Sequence, residues 1–265
     1  MRENTIKSIW KRGGAVINGW LGIPSSISAE NMAHAGWDSL TVDLQHGHID
    51  YQTAVAMLQA ISTTSTIPLV RAPWNEPGII MKLLDAGAYG VICPMVNTRA
   101  DCEAFVGACR YPPKGNRSFG PVRASWYGGG DHFKQADDTL VTLAMIETRQ
   151  AMDNLDDILS VPGLDGLYIG PSDLGISLGC APSGGVPVDA IVIDAIKTIY
   201  AAARTHRVYP AIHCNSIAMA KQMVAHGFQF VTVLHDNAFL HAGASAAVAQ
   251  MRQDGTAAKK TSGEY

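Results

Sequence analysis

Residues 39–73, SLTVDLQHGHIDYQTAVAMLQAISTTSTIPLVRAP, contain one complete strand–helix–strand unit. Ser39 to Gln45 is a short run rich in Leu, Thr and Val, as suits a strand buried on both faces. From Asp50 to Ser62 the period changes: Ala54, Met57, Leu58 and Ile61 recur at helical spacing, and Asp50 stands where its carboxylate can cap the first turn. Pro68 to Pro73 is apolar again. Two strands separated by one helix predict a parallel pair with a crossover connection.

The same alternation extends in both directions, from Ala15 to Asp254. Strands are expected at Val16–Gly22, Ser39–Gln45, Pro68–Pro73, Gly90–Val96, Val141–Glu147, Gly166–Gly170, Tyr209–His213 and Phe230–His235. Eight such pairs predict a single α/β domain, a (β/α)8 TIM barrel over residues 1–254. Gly255 to Tyr265 is small, polar and Lys-bearing, a flexible C-terminal tail expected to fray. Gly36, Gly87 and Gly227 each precede a strand and are expected in the left-handed position that closes a helix.

Bulk properties agree with this reading. The chain has 265 residues, 47% hydrophobic and 16% charged, a balance typical of a buried parallel sheet covered by helices. A formal charge of −3 argues against a nucleic-acid partner and confines any important basic group to one small anion. The 5 cysteines form no CxxC or Cys/His finger, which suits a reduced, cytoplasmic compartment. Met1 to Arg12 lacks the apolar run of a signal peptide, and no stretch has the ~18 successive apolar residues of a membrane span.

One connection breaks the rhythm. Tyr111 to His132 is long, rich in Gly and aromatics, and carries Arg117 and Arg123. It is either a surface excursion or subunit contact, or a flap over a ligand with Gly128 to Gly130 as hinge.

Barrel chemistry belongs at the C-terminal ends of the strands. There the sequence places Asp43 and His46 after strand 2, Arg71 at the end of strand 3, Glu147 after strand 5, and Gly170-Pro171-Ser172-Asp173 after strand 6. Each has an ordinary alternative: Glu147 as a salt-bridge partner, Asp173 as a turn cap, Arg71 as a mate for Asp43. Two carboxylates from neighbouring strands, however, repel unless a cation lies between them, and oxygen ligands select a hard ion such as Mg2+ or Mn2+. Arg71 suits a carboxylate or developing enolate, and His46 can carry a proton near neutrality, its ring oriented by Asp43 or Asp85. His34, His132, His206 and His226 are expected to face solvent. His48, His213 and His235 lie near strand ends, where a satisfied structural role is expected. The lysines fall on helices, termini or loops, which argues for metal rather than Schiff-base activation. No GxGxxG follows strand 1 and no P-loop is present.

Taken in order, VDLQHG, RAPWNEP, KLLDAGAYGVICPMVNT, YPPKGNRSFGP, AMIETRQAMDNLDDIL and GLYIGPSDLGISLG resemble the HpcH/HpaI family of class II 2-keto-3-deoxy-acid aldolases, also close to its hydroxy ketoacid aldolases. The resemblance runs from about Trp20 past strand 8. It implies a pyruvate-binding barrel and reversible cleavage of 4-hydroxy-2-oxo acids to pyruvate, or hydroxypyruvate, and an aldehyde through a metal-stabilised enolate. It implies Mg2+, Mn2+ or Co2+ on Glu147 and Asp173, Arg71 at the enolate and His46 as acid/base. Asp43 and Asp85 would support the histidine and metal-bound waters, the backbone at Gly170 and Ser172 to Leu174 would cradle the carboxylate, and Trp20 would line the pocket. Two departures stand out: Met145 where many members have Gln, and Gln45, beside the substrate, where Glu is usual. The family's trimeric or hexameric assembly, with the last helix swapped between subunits, is expected for Phe239 to Arg252. A malyl-CoA type acyl-CoA lyase and a non-catalytic oxo-acid-binding barrel are the competing readings.

Overall fold

The computed structural model describes residues 1–182 and 189–253. Eight parallel strands close a barrel in chain order: β1 (Val16–Leu21), β2 (Ser39–Asp43), β3 (Ile67–Arg71), β4 (Gly90–Cys93), β5 (Val141–Ile146), β6 (Gly166–Ile169), β7 (Tyr209–Cys214) and β8 (Phe230–Val233), which pairs back to β1. α1 (Thr5–Lys11) precedes β1. α2 (Ser26–Ala33), α3 (Tyr51–Ile61), α4 (Pro77–Asp85) and α5 (Arg99–Cys109) follow β1 to β4 in turn. α6 (Val122–Gly128) and α7 (His132–Thr139) precede β5; α8 (Arg149–Asp153) and α9 (Leu155–Leu159) follow it. α10 (Pro171–Ser177) and α11 (Ala190–His206) follow β6, α12 (Ile217–Ala225) follows β7, and α13 (Asp236–Gln253) comes last. The strand count agrees with the (β/α)8 expectation. The tail at Gly255 to Tyr265 lies outside the described residues.

Local chemistry explains the boundaries. Asp50 accepts from the Thr53 N–H at 2.8 Å and starts α3, whose Ala54, Met57, Leu58 and Ile61 are all buried. Gly36, Gly87 and Gly227 hold φ of 91°, 98° and 101°. Strands end earlier than expected where the backbone turns left-handed without glycine. β4 stops at Cys93, ahead of Pro94 and of Met95 at φ 54°, and β8 stops at Val233, ahead of Leu234 at φ 56°.

The N-terminal mouth of the barrel is closed. Ile6 and Trp10 of α1 are buried there; the Trp10 indole N–H donates to Gln229 O at 2.8 Å and its ring stacks on Tyr209 at 4.2 Å. Ile67, Leu69, Ile92, Leu143, Tyr168 and Phe230 fill the interior above it.

The long connection belongs to this closed end. It carries α6, and Arg117 is 1% exposed with Nη2 donating to Asp85 Oδ1 at 2.6 Å. Arg123 donates to Ala86 O and to Ser62 Oγ, where α4 and α3 end. Both arginines are therefore anchored away from the strand ends where a ligand flap would act. His132, expected to face solvent, is 2% exposed. Burial first, then the charge of Arg117, pushes its pKa down to about 4.

α13 departs from the usual pattern. Every residue from Leu240 to Arg252 is exposed, including Leu240, Val248 and Met251. Ile17, on a barrel strand, is 50% exposed. An outer strand face in such a barrel is ordinarily covered by a helix.

Candidate active site

Asp43 and Arg71 close β2 and β3 in register with each other. Arg71 Nε and Nη2 donate to Asp43 Oδ1 and Oδ2 at 2.8 and 2.6 Å, a bidentate pair. The Trp20 indole N–H adds a bond to Oδ2 at 3.1 Å, and the Trp20 ring lies 4.8 Å from the guanidinium. The Gln45 and His46 backbone N–H groups donate to Oδ1 at 3.0 and 3.3 Å, which folds the chain back after β2. Burial pushes the Asp43 carboxyl up, but the Arg71 hydrogen bond and charge, with the Trp20 and Gln45 bonds, outweigh it and leave it below its ordinary range. The ordinary pairing of Arg71 is thus present, and it fixes the guanidinium at the strand-end face.

His46 is exposed and lines a cavity of about 340 Å3 together with Arg71, Met145, Gly170, Asp173 and His213. Among the described residues its imidazole makes no hydrogen bond. Asp43 reaches it only through the backbone, and Asp85 ends α4 at the far side of the barrel, paired with Arg117. Asp85 therefore does not join this group within one chain. Gln45 Oε1 is buried beside His46 with no partner among the described residues.

Glu147 follows β5 and is 2% exposed. Its Oε1 accepts from the Met95 N–H at 2.8 Å, so the left-handed turn after β4 aims a backbone donor at it. Its Oε2 faces Gly170, where an added Cβ would lie 2.7 Å away. Burial, opposed by the Met95 bond, and the charge of exposed Asp173, opposed by Arg71, leave the Glu147 pKa pushed up to about 7. A carboxyl so disfavoured as an anion, with one oxygen kept open by a glycine and a second carboxylate nearby, fits a cation. Among the described residues no group of three or more His, Cys, Asp or Glu could ligate a metal, so the protein's share would be this pair. Met145 is 1% exposed and packs in the barrel interior, and a thioether is a poor ligand for a hard ion.

Gly170 is the N-cap of α10, with Pro171 at its first position and no side-chain cap. The Leu174 N–H is already bonded to Gly170 O at 3.0 Å, so of the expected cradle the Ser172 and Asp173 amides remain for an anion. No lysine is among the residues lining this cavity, whose walls carry donors, the Asp173 carboxyl and two imidazoles. A more apolar cleft of about 630 Å3 between α11 and α12 contains no carboxylate and lies away from these groups.

His213 was the residue sequence reasoning undervalued. On β7 it points into the cavity, with Nδ1 3.0 Å from the Tyr168 hydroxyl and its ring edge-on to Trp20 at 5.1 Å. Strand alternation carried the signal, since inward-facing Ala211 and His213 are two residues apart. His48 and His235 are exposed.

Residues 18–241 match the HpcH/HpaI aldolase/citrate lyase family. The chain is 43% identical over 249 residues to a hydroxypyruvate/pyruvate aldolase of Rhizorhabdus wittichii, covering 94% of this chain and 99% of that protein. It is 40% identical over 252 residues to a 4-hydroxy-2-oxo-heptane-1,7-dioate aldolase of Salmonella dublin, covering 94% of each. Among solved structures, an HpcH/HpaI aldolase/citrate lyase family protein from Burkholderia cenocepacia superposes with a TM-score of 0.87 at 28% identity, over 94% of this chain and 99% of that one.

Proposed function

We propose that this chain, which belongs to the HpcH/HpaI aldolase/citrate lyase family, carries out its chemistry in the cavity between Arg71 and Asp173. It is an aldehyde-lyase: relatives at 40% and 43% identity over nearly the whole chain are aldolases. Its reaction is reversible aldol cleavage of a 4-hydroxy-2-oxo acid to pyruvate, or hydroxypyruvate, and an aldehyde.

The observation that carries the site assignment is the open Glu147 oxygen opposite Gly170. Glu147 and Asp173 would hold Mg2+, Mn2+ or Co2+, which supplies Lewis-acid polarisation of the keto group. The Ser172 and Asp173 N–H groups bind the substrate carboxylate. Arg71, held by both oxygens of Asp43, presents the remaining edge of its guanidinium to the oxygen that gains charge as C3–C4 breaks. His46, exposed at the mouth, takes the C4 hydroxyl proton in cleavage and returns it in synthesis. Trp20 keeps Asp43 and Arg71 in place rather than meeting substrate. A CoA thioester would need an extended basic groove, and the arginines of the long connection are engaged at the other end.

The exposed α13 and the uncovered Ile17 support a homo-oligomer, trimer or hexamer, in which α13 packs on a neighbouring copy. Among the described residues no helix is long and apolar enough to cross a membrane.

Chelation tests the reading. EDTA should abolish cleavage and Mn2+ restore it, and Glu147→Ala should lose Mn2+ binding measured by calorimetry while keeping its fold. Full turnover by the stripped protein would remove the cation from the proposal.

A further inference from the structure

The cavity floor carries one acceptor that the proposed chemistry leaves without a task. Tyr168 is fully buried, and its hydroxyl donates to Thr232 Oγ1 at 2.8 Å, which also accepts from Asn18 Nδ2 at 3.0 Å. With the tyrosine proton committed to Thr232, the tyrosine oxygen is the acceptor for His213 Nδ1 at 3.0 Å. A neutral imidazole protonated at Nδ1 has a bare lone pair at Nε2. Asn18, itself accepting from Ser39 and Thr41 hydroxyls at 2.8 and 3.1 Å, fixes this network from below.

We propose that His213 selects a hydroxylated donor, its Nε2 accepting a hydrogen bond from the C3 hydroxyl of a 3-hydroxy-2-oxo acid of the hydroxypyruvate type. The inference rests on the aldolase reading and adds a substrate preference to it. Depth assigns the contact to the donor rather than the aldehyde. The donor's carboxylate and keto oxygens must reach the cation that the buried Glu147 would help to hold and the amides of α10, so the donor occupies the floor. The aldehyde meets His46 at the exposed mouth. His213, tied to a buried tyrosine and flanked by Trp20, belongs to the floor.

The alternative role for such a histidine is that of a base at C3. Burial, then the charge of Arg71, pushes its pKa down to about 4, which makes the ring a weak base and keeps it a neutral acceptor near pH 7. His213 is half-buried, so it is the seated donor that would take water from Nε2: pyruvate, with only C–H at C3, would cover that nitrogen without pairing it. A C3 hydroxyl satisfies it, and a buried polar group left unpaired is the physical basis of discrimination between such analogues.

The test compares kcat/KM of the Mn2+-loaded enzyme for hydroxypyruvate and for 2-oxobutyrate, in which a methyl replaces the hydroxyl, with propionaldehyde as acceptor. Wild type should favour hydroxypyruvate by about tenfold or more, the worth of one hydrogen bond. His213→Leu should shrink that ratio about tenfold, His213→Gln, which retains an acceptor oxygen, should restore part of it, and Tyr168→Phe, which frees the ring, should give an intermediate ratio. A wild-type ratio near one overturns the proposal without any variant, as does an equal loss on both donors in His213→Leu and His213→Gln. Turnover of neither donor nor of pyruvate by wild type would instead sink the aldolase reading.

Discussion

Gly170→Ala isolates the geometry of the carboxylate pair. Gly170 has φ −99° and ψ 91°, a conformation alanine adopts freely, so the substitution acts through its new methyl group alone. That Cβ would lie 2.7 Å from Glu147 Oε2 and 3.1 Å from Met145 Cε. Ordinary contact requires the carboxylate to retreat by roughly 0.5 Å, about the whole tolerance of a catalytic constellation. Retreat also strains the bond from the Met95 N–H to Oε1, which is 2.8 Å long. A displacement of this kind is worth about 10²-fold in turnover. Stability moves much less: the lost chain entropy of the unfolded state stabilises by about 0.4–1 kcal/mol, against about 1–3 kcal/mol for overpacking. The net, about 0 to 2.6 kcal/mol, lowers Tm by less than about 10 °C in a chain of this size. Steady-state cleavage, Mn2+ titration by calorimetry and a thermal melt read the three quantities separately. A folded variant that binds Mn2+ and turns over like wild type would refute the view that Glu147 Oε2 needs the space Gly170 leaves.

Arg71→Lys keeps the charge beside Asp43 but loses the fork, so exchange of pyruvate methyl protons in D2O, followed by NMR, should stop; Arg71→Ala should also cost stability, by about 3–5 kcal/mol, by leaving Asp43 buried without its partner. Wild-type exchange in either variant would contradict the role given to the guanidinium. His132 and His213 are held down to about 4 in the folded protein, chiefly by burial, so their neutral forms contribute stability that is complete above the unfolded value near 6.5 and is lost as pH falls from there through about 4. The urea midpoint should therefore drop between pH 7 and 4.5, and less steeply in His132→Leu; an unaltered slope would show that His132 is not a contributor. Leu240→Asp with Met251→Asp should shift sedimentation toward the monomer, whereas an unchanged assembly would mean that α13 does not mediate it.

Periodicity made the barrel legible because each βα unit announces itself locally: a buried run, a cap such as Asp50, a left-handed glycine such as Gly36. The carboxylates, Arg71 and His46 followed from the rule that strand ends carry the chemistry. What periodicity could not show was which partner each group finds. Asp43 could be placed at the end of β2, yet its engagement with Arg71 and Trp20 depends on the register between strands. Asp85 is expected beside His46 both as a carboxylate able to orient its ring and from the resemblance. Its position as the last residue of α4, a helix running back toward the start of the next strand, already put it at the other end. His132 and Arg117 were hidden for a different reason: their burial arises from irregular backbone packed beneath the barrel, and irregular backbone has no period to read. The turns at Met95 and Leu234 escaped because neither residue type favours the left-handed region.

The helix that seals the base of the barrel governs traffic as well as packing. With Ile6 and Trp10 beneath and the interior filled above them, the described residues leave the proposed site open from the strand-end face, where His46 is exposed. Whatever binds at the floor must arrive before its co-substrate and depart after it, last in being first out. On the proposed placement, the aldehyde would leave in cleavage while the 2-oxo acid is still seated, and in synthesis the donor-loaded enzyme would await an aldehyde at that opening. A helix far from every proposed reacting atom would thereby set the sequence of binding and release.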